Sequence, residues 1–334
     1  MATPLVVLGE IRTCLLPSAT ALSQAEASEL LALMPGSAVR WKERPGKLAI
    51  SPTIAVGVDC DLALGDDPVR EGGFAHIVGT VATNAVLVGG RVLQSSAHTR
   101  VVRATDRRRQ TWSHYISCKG ITEVINRIPE REIAEKALVR GYFSGPFTEQ
   151  TLDLASISER LLGDIRMAAQ LDQRPPIRAR TTRLRWTARI GGSAGPATDL
   201  RLDDDRVRSI QLIVREEKDL TETQRFCEDL AVHDWLLTVM AELLDEADHF
   251  PSRSPKRIDT LAPALEHLTG LWMPGGHTPT LVRALWKELQ NDPGFTRQWT
   301  TLVSRLRDNI AVATLDALRY KAFTGDAHQE RAHR

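Results

Sequence analysis

"RTTRLRWTARI", residues 180–190, decides how this chain is read. From Arg183 onward it alternates strictly. Arg183, Arg185, Thr187 and Arg189 fall on one side, and Leu184, Trp186, Ala188 and Ile190 on the other. A period of two marks a β-strand, and the apolar set directs one face of it to a core. The other face poses the problem. Six arginines stand between Arg174 and Arg189 with no acidic residue among them, so their counter-charge lies elsewhere in the chain or on another molecule.

The sequence offers an internal source. Residues 203–205 read DDD, and residues 216–250 hold eleven acidic residues against Lys218 and Arg225. Pairing of the arginine face with a neighbouring strand or with the acidic segment is the first expectation. Cross-strand pairs contribute roughly 0.2–1 kcal/mol each, and exposed ones close to nothing. A protein partner with an acidic face comes next. Nucleic acid or another polyanion is third. Candidate contacts for either are Arg183, Arg185 and Arg189, joined by Arg107, Arg108 and Arg109 in "RVVRATDRRRQTWSHY", near Trp112 and Tyr115. Arginines neutralise phosphate and rings stack on bases. However, Trp186 opposes Arg185 in the alternation, which turns its ring inward while the arginines face out. The formal net charge of only +1 also disfavours a nonspecific nucleic-acid binder.

Working outward, "LVVLGEIRTCLL" reads as a buried strand. "SQAEASELLALM" reads as a helix whose Ser23 and Glu26 form a capping box. Residues 47–104, rich in Val, Ala, Thr and Gly, read as successive strands, with a hairpin turn at Gly89-Gly90. "PEREIAEKALVRGYF" and "ASISERLLGDIRMAAQL" are helical. Beyond the arginine strand, "TDLRLDDDRVRSIQLIVRE" supplies one or two strands, with Ile210, Leu212 and Val214 on one face. From Leu220 the pattern changes to a long helix, with Thr221 as its expected cap, and then three amphipathic helices that must bury their apolar faces on each other. The expected fold class is α+β. A mixed or antiparallel β-rich part spans 1–216, a helical bundle 217–323 and a flexible tail 324–334. At 334 residues, 42% hydrophobic and 25% charged, the chain is long enough for such a division and too apolar for extended disorder.

No motif assigns a reaction. GxxxxGK[ST] and HExxH are absent, and "VLVGGRVLQ" lacks GxGxxG. "GGSAG" (191–195) matches GxSxG, but Pro196 and a strand-like segment follow where a nucleophile elbow requires a helix. Two clusters would favour an enzyme if they met in a pocket: Asp59, Asp61, His76 and His114, or His233, Asp234 and His267. His233 sits on the apolar stripe of the long helix, where a satisfied buried histidine is the plainer expectation. The four cysteines are scattered without a CxxC pair, as expected for free thiols in a reducing compartment. No segment approaches the roughly 18 apolar residues of a membrane span. A cytoplasmic protein is expected, with no catalytic, cofactor-binding or metal-binding residue assigned.

Several stretches together carry a resemblance: "VVLGEIRTCLL", "VATNAVLVGG", "RPPIRARTTRLRWTARI", "FCEDLAVHDWLLTV", "LWMPGGH" and "PGFTRQW". They are similar to a poorly characterised family of actinomycete proteins known by a locus-based name, from Leu5 to about Ala322. The resemblance implies a component of a multi-protein system, encoded beside a variant P-loop protein and a methyltransferase-like protein. It implies no reaction and no ligand. The function expected is therefore a non-enzymatic interaction component with a protein partner and no cofactor. Polyanion binding, and an unrecognised hydrolase or transferase, are the alternatives.

Overall fold

The computed structural model describes residues 3–65, 73–106, 108–191, 197–251 and 254–332, with side chains through Tyr320. Ten strands form one mixed sheet: β1 (Val6–Leu15), β2 (Arg40–Lys42), β3 (Leu48–Ile50), β4 (Ile54–Ala63), β5 (Phe74–Val88), β6 (Val92–Arg103), β7 (Ile121–Val124), β8 (Thr182–Ile190), β9 (Ala197–Asp204) and β10 (Val207–Val214). Their order is β2-β3-β5-β7-β6-β1-β8-β10-β9, with β4 also paired to β5 and β5 to β6. Neighbours run antiparallel except β6–β7 and β8–β10.

Nine α-helices accompany the sheet among the described residues. They are α1 (Gln24–Leu30), α2 (Trp112–Ser117), α3 (Arg131–Ser144), α4 (Leu154–Arg166), α5 (Glu217–Leu220), α6 (Thr223–Asp248), α7 (Pro255–His267), α8 (Ala284–Asn291) and α9 (Phe295–Ala332). The strand-rich part followed by a helical bundle is the α+β arrangement that the sequence pattern implies. None of these helices is long and apolar enough to cross a membrane.

Local chemistry sets several boundaries. Ser23 and Glu26 close the capping box of α1 in both directions. Gly89 and Gly90 turn β5 into β6 with φ of 58° and 70°, a pair of left-handed conformations that suits a tight hairpin. Thr221 does not cap the long helix. It ends α5, its hydroxyl donating to the Lys218 carbonyl at 2.7 Å, and α6 starts at Thr223. Residues 192–196, which include most of the GGSAG stretch, lie outside the described residues. The helical backbone of α9 continues to Ala332, past residue 323.

The central strands β1 and β8 are covered on both faces. On one side lies α6, buried around much of its circumference because the sheet takes one flank and α7 and α9 the other. Val7, Ile11, Leu184, Trp186 and Ile210 share one core with Leu230, Leu236 and Met240 of this helix, so the core runs continuously from the sheet into the bundle. Trp186 is fully buried, and its indole lies over Gly9 of β1, where a Cβ atom would fall 2.1 Å from the ring. Only glycine leaves room for it.

On the opposite side α3 and α4 cross β1, β6 and β8. The arginine face of β8, which the alternation leaves outside the apolar core, is thus partly covered by these helices, its arginines remaining part-exposed.

Candidate functional site

β1 and β8 are antiparallel neighbours, with Glu10 opposite Arg185 and Arg12 opposite Arg183. The even-numbered residues of β1 and the odd-numbered residues of β8 therefore face α3 and α4 together. Glu10, 1% exposed, accepts from Arg183 Nε at 2.6 Å. Burial raises the Glu10 pKa, and Arg183 pulls it part of the way back. Burial also works against the Arg183 charge, but its bond and attraction to Glu10 outweigh this and leave its pKa raised. Arg12 reaches Glu159 of α4 at 3.1 Å and the Ala155 carbonyl at 3.4 Å.

Arg185 has a different role. Its guanidinium donates to the carbonyls of Tyr142 and Phe143, the latter at 3.2 Å, and stacks over both rings, 5.1 and 5.5 Å from their centroids. These carbonyls end α3, where the helix dipole is negative and otherwise unpaired acceptors collect. Tyr142 in turn donates to the Gly9 carbonyl at 2.8 Å. Arg185 is therefore a helix cap held in place by aromatic side chains. Arg189 adds to the field at Glu132 and Glu135 of α3.

Between this face and the chain linking α3 to α4 lies a groove of about 410 Å³. Glu10, Arg183 and Arg185 form its charged floor, Asp61 and Asp153 its rim, and Phe143 and Phe147 its apolar walls. Asp61 connects it to a second charged chain on β4 and β5. The β4–β5 register places Asp61 opposite His76. His76 Nδ1 meets Asp61 at 2.7 Å, its Nε2 meets Asp59 at 3.1 Å, and Asp59 meets Arg109 at 2.8 Å. Arg109 also lies over the Trp112 ring at 5.4 Å. Arg108 is exposed, its backbone N–H donating to Asp106 at 3.1 Å. Arg107 lies outside the described residues.

The structure thus brings Asp59, Asp61 and His76 together but sends His114 to Glu123, 3.0 Å away. The other cluster separates. Asp234 pairs with Arg208 at 3.1 Å, and His267 faces Glu266. His233 is buried, donating from Nδ1 to the Asp229 carbonyl at 2.6 Å and accepting at Nε2 from the Met273 N–H at 3.0 Å. Both ring nitrogens are thereby satisfied in the neutral form, and burial lowers its pKa to about 4. Thr278 donates to Asp229 at 2.7 Å, fastening the MPGGH loop to α6. Burial raises the Asp229 pKa to about 6.

Glu10, Tyr142 and Phe143 organise the groove, and none stands out by motif. The available signal for Glu10 is a lone acid inside the apolar run VVLGEIRTCLL, since a buried carboxylate requires a partner. Among the described residues no group of three or more His, Cys, Asp or Glu side chains is placed to hold a metal ion. In the groove, the charged groups are spent on one another and on a helix end. These contacts tie α3 and α4 to the sheet. No family model, no curated protein and no solved structure matches this chain.

Proposed function

We propose that the protein is a non-enzymatic interaction component of a multi-protein bacterial system, acting in the cytoplasm, and that it engages protein through α9. The observation that carries this reading is apolar surface on that helix: Val312, Leu315 and Leu318 are 51%, 56% and 59% exposed. Large apolar side chains grouped on one exposed helix face are characteristic of partner-binding surfaces. The arginine row supports the same reading by exclusion, because Arg183 and Arg185 are committed within the chain and Arg109 is paired with Asp59.

Polyanion binding is the second reading. It rests on exposed Arg108 and on Trp112, four residues further along the chain and 40% exposed. Tagged full-length protein and its Leu315→Asp variant, used as baits in native-host extract with and without nuclease, separate the two. A partner that survives nuclease and is lost with the variant supports the first reading. Capture that vanishes with nuclease and ignores the variant overturns it in favour of the second.

A further inference from the structure

α9 presents more surface than its own bundle covers. Trp299, Val303, Leu306 and Ala313 are buried on the side that packs against the rest of the molecule. At about 100° per residue, Asp308, Val312, Leu315 and Arg319 lie on the opposite side. All four are exposed. Their spacing of four, three and four residues is that of a coiled-coil seam, with Ala311 and Leu318 flanking it. Among the described residues neither Asp308 nor Arg319 forms an ion pair.

The seam is complementary to its own reversal. Val312 and Leu315 stand equally far from the point between Ala313 and Thr314, and so do Asp308 and Arg319. A two-fold axis through that point sets Val312 of one copy beside Leu315 of the other, and Asp308 beside Arg319, each pair occurring twice. This is the self-matching that an isologous contact demands. A parallel, in-register arrangement would instead place Asp308 against Asp308 and Arg319 against Arg319.

We infer that two copies of this chain pair antiparallel through α9, with a Val312–Leu315 centre and an Asp308–Arg319 ion pair at each end. The inference rests on the reading of α9 as an interaction surface and names the partner as a second copy. The buried side of α9 faces away from the seam, so each bundle lies outside the pair.

Sedimentation velocity on the full chain tests it. Wild type is expected to form a reversible dimer, and Leu315→Glu a monomer with unchanged circular dichroism. Asp308→Arg and Arg319→Asp each place like charges at both ends and are expected to weaken the dimer by about tenfold at low salt. Mixed together, they are expected to regain it, because an all-basic seam then meets an all-acidic one. A monomeric wild type overturns the inference, as do single variants that dimerise like wild type or a mixture that fails to recover. A monomeric wild type whose α9 still captures a nuclease-resistant partner in extract overturns self-pairing and leaves the interaction reading standing. Absence of both removes the two together.

Discussion

The two faces of β1 and β8 solve burial in opposite ways. Towards α6, Leu184, Trp186 and Ala188 are enclosed with Val7 and Ile11 in an apolar core. Towards α3 and α4, buried Glu10 and part-exposed Arg12, Arg183 and Arg185 are paired with one another, with Glu159, with main-chain carbonyls and with two aromatic rings. The first face is set mainly by shape, with Trp186 Nε1 and His98 Nδ1 enclosed there unpaired. The second needs every charge to find its complement, since a buried ion left alone costs several kcal/mol. A single strand can therefore carry an arginine row beneath a helical layer, where the neighbouring strand and a helix end supply the negative ends.

The largest expected effect breaks the apolar face. Trp186→Ala should cost about 4 kcal/mol in chemical denaturation, as large truncations in cores do. Gly9→Ala should cost much less in that background than in wild type, because the indole it would strike is gone. Breaking the charged face comes next. Arg183→Met should cost about 3 kcal/mol by stranding Glu10, while Glu10→Leu with Arg183→Met should recover most of that loss. A double variant as unstable as the single one would show that the pair is not the source of the cost.

A third prediction uses pH to sharpen the contrast. His98 lies on the apolar face, stacked on Trp186 at 6.3 Å, with Nδ1 enclosed and unpartnered. Burial lowers its pKa from 6.5 to about 4. A depressed folded-state pKa gives stability that is present above 6.5 and lost as pH falls towards 4. Because His98 is only partly buried as a residue, that loss should be about 2 kcal/mol by pH 4. His98→Phe should shrink this limb of a stability–pH curve, leaving the part that buried His233 contributes over the same range, and an unchanged limb would refute the assignment. Glu10 acts in the other sense. Its raised pKa means that acidification relieves a burial cost. The smallest effect lies outside both faces. Arg109→Ala, which removes a half-exposed pair to Asp59, should change the melting free energy by less than about 0.5 kcal/mol.

How far the sequence could be read follows from the same contrast. Alternation in RLRWTARI separates the two faces of β8 correctly, and the α1 capping box, the Gly89-Gly90 turn and the long α6 are local signals that survive folding. Alternation identifies residues that share a face, but not what covers that face. Hence α3 and α4 over the arginines, and Glu10 rather than the DDD segment as the partner of Arg183, were not legible. Nor was the topology around β8. The strand next in sequence, β9, pairs with β10 at the sheet edge, while β10 returns parallel to β8. The meeting of Asp59 and Asp61 with His76 depends on strand register, which no single strand encodes.

The place of β1 in the sheet has a consequence for how the chain acquires its structure. β1 lies between β6 and β8, and the Glu10–Arg183 bond closes a separation of 173 residues. During synthesis β1 can join β6 early, yet its other edge stays bare until β8 arrives and its Trp186-facing side stays uncovered until α6 follows. Contacts so remote in sequence slow folding, and an open edge beside unburied apolar surface invites association with other chains. The order of elements along the chain thus makes the centre of the sheet depend on segments, β8 and α6, that are synthesised well after its first strands.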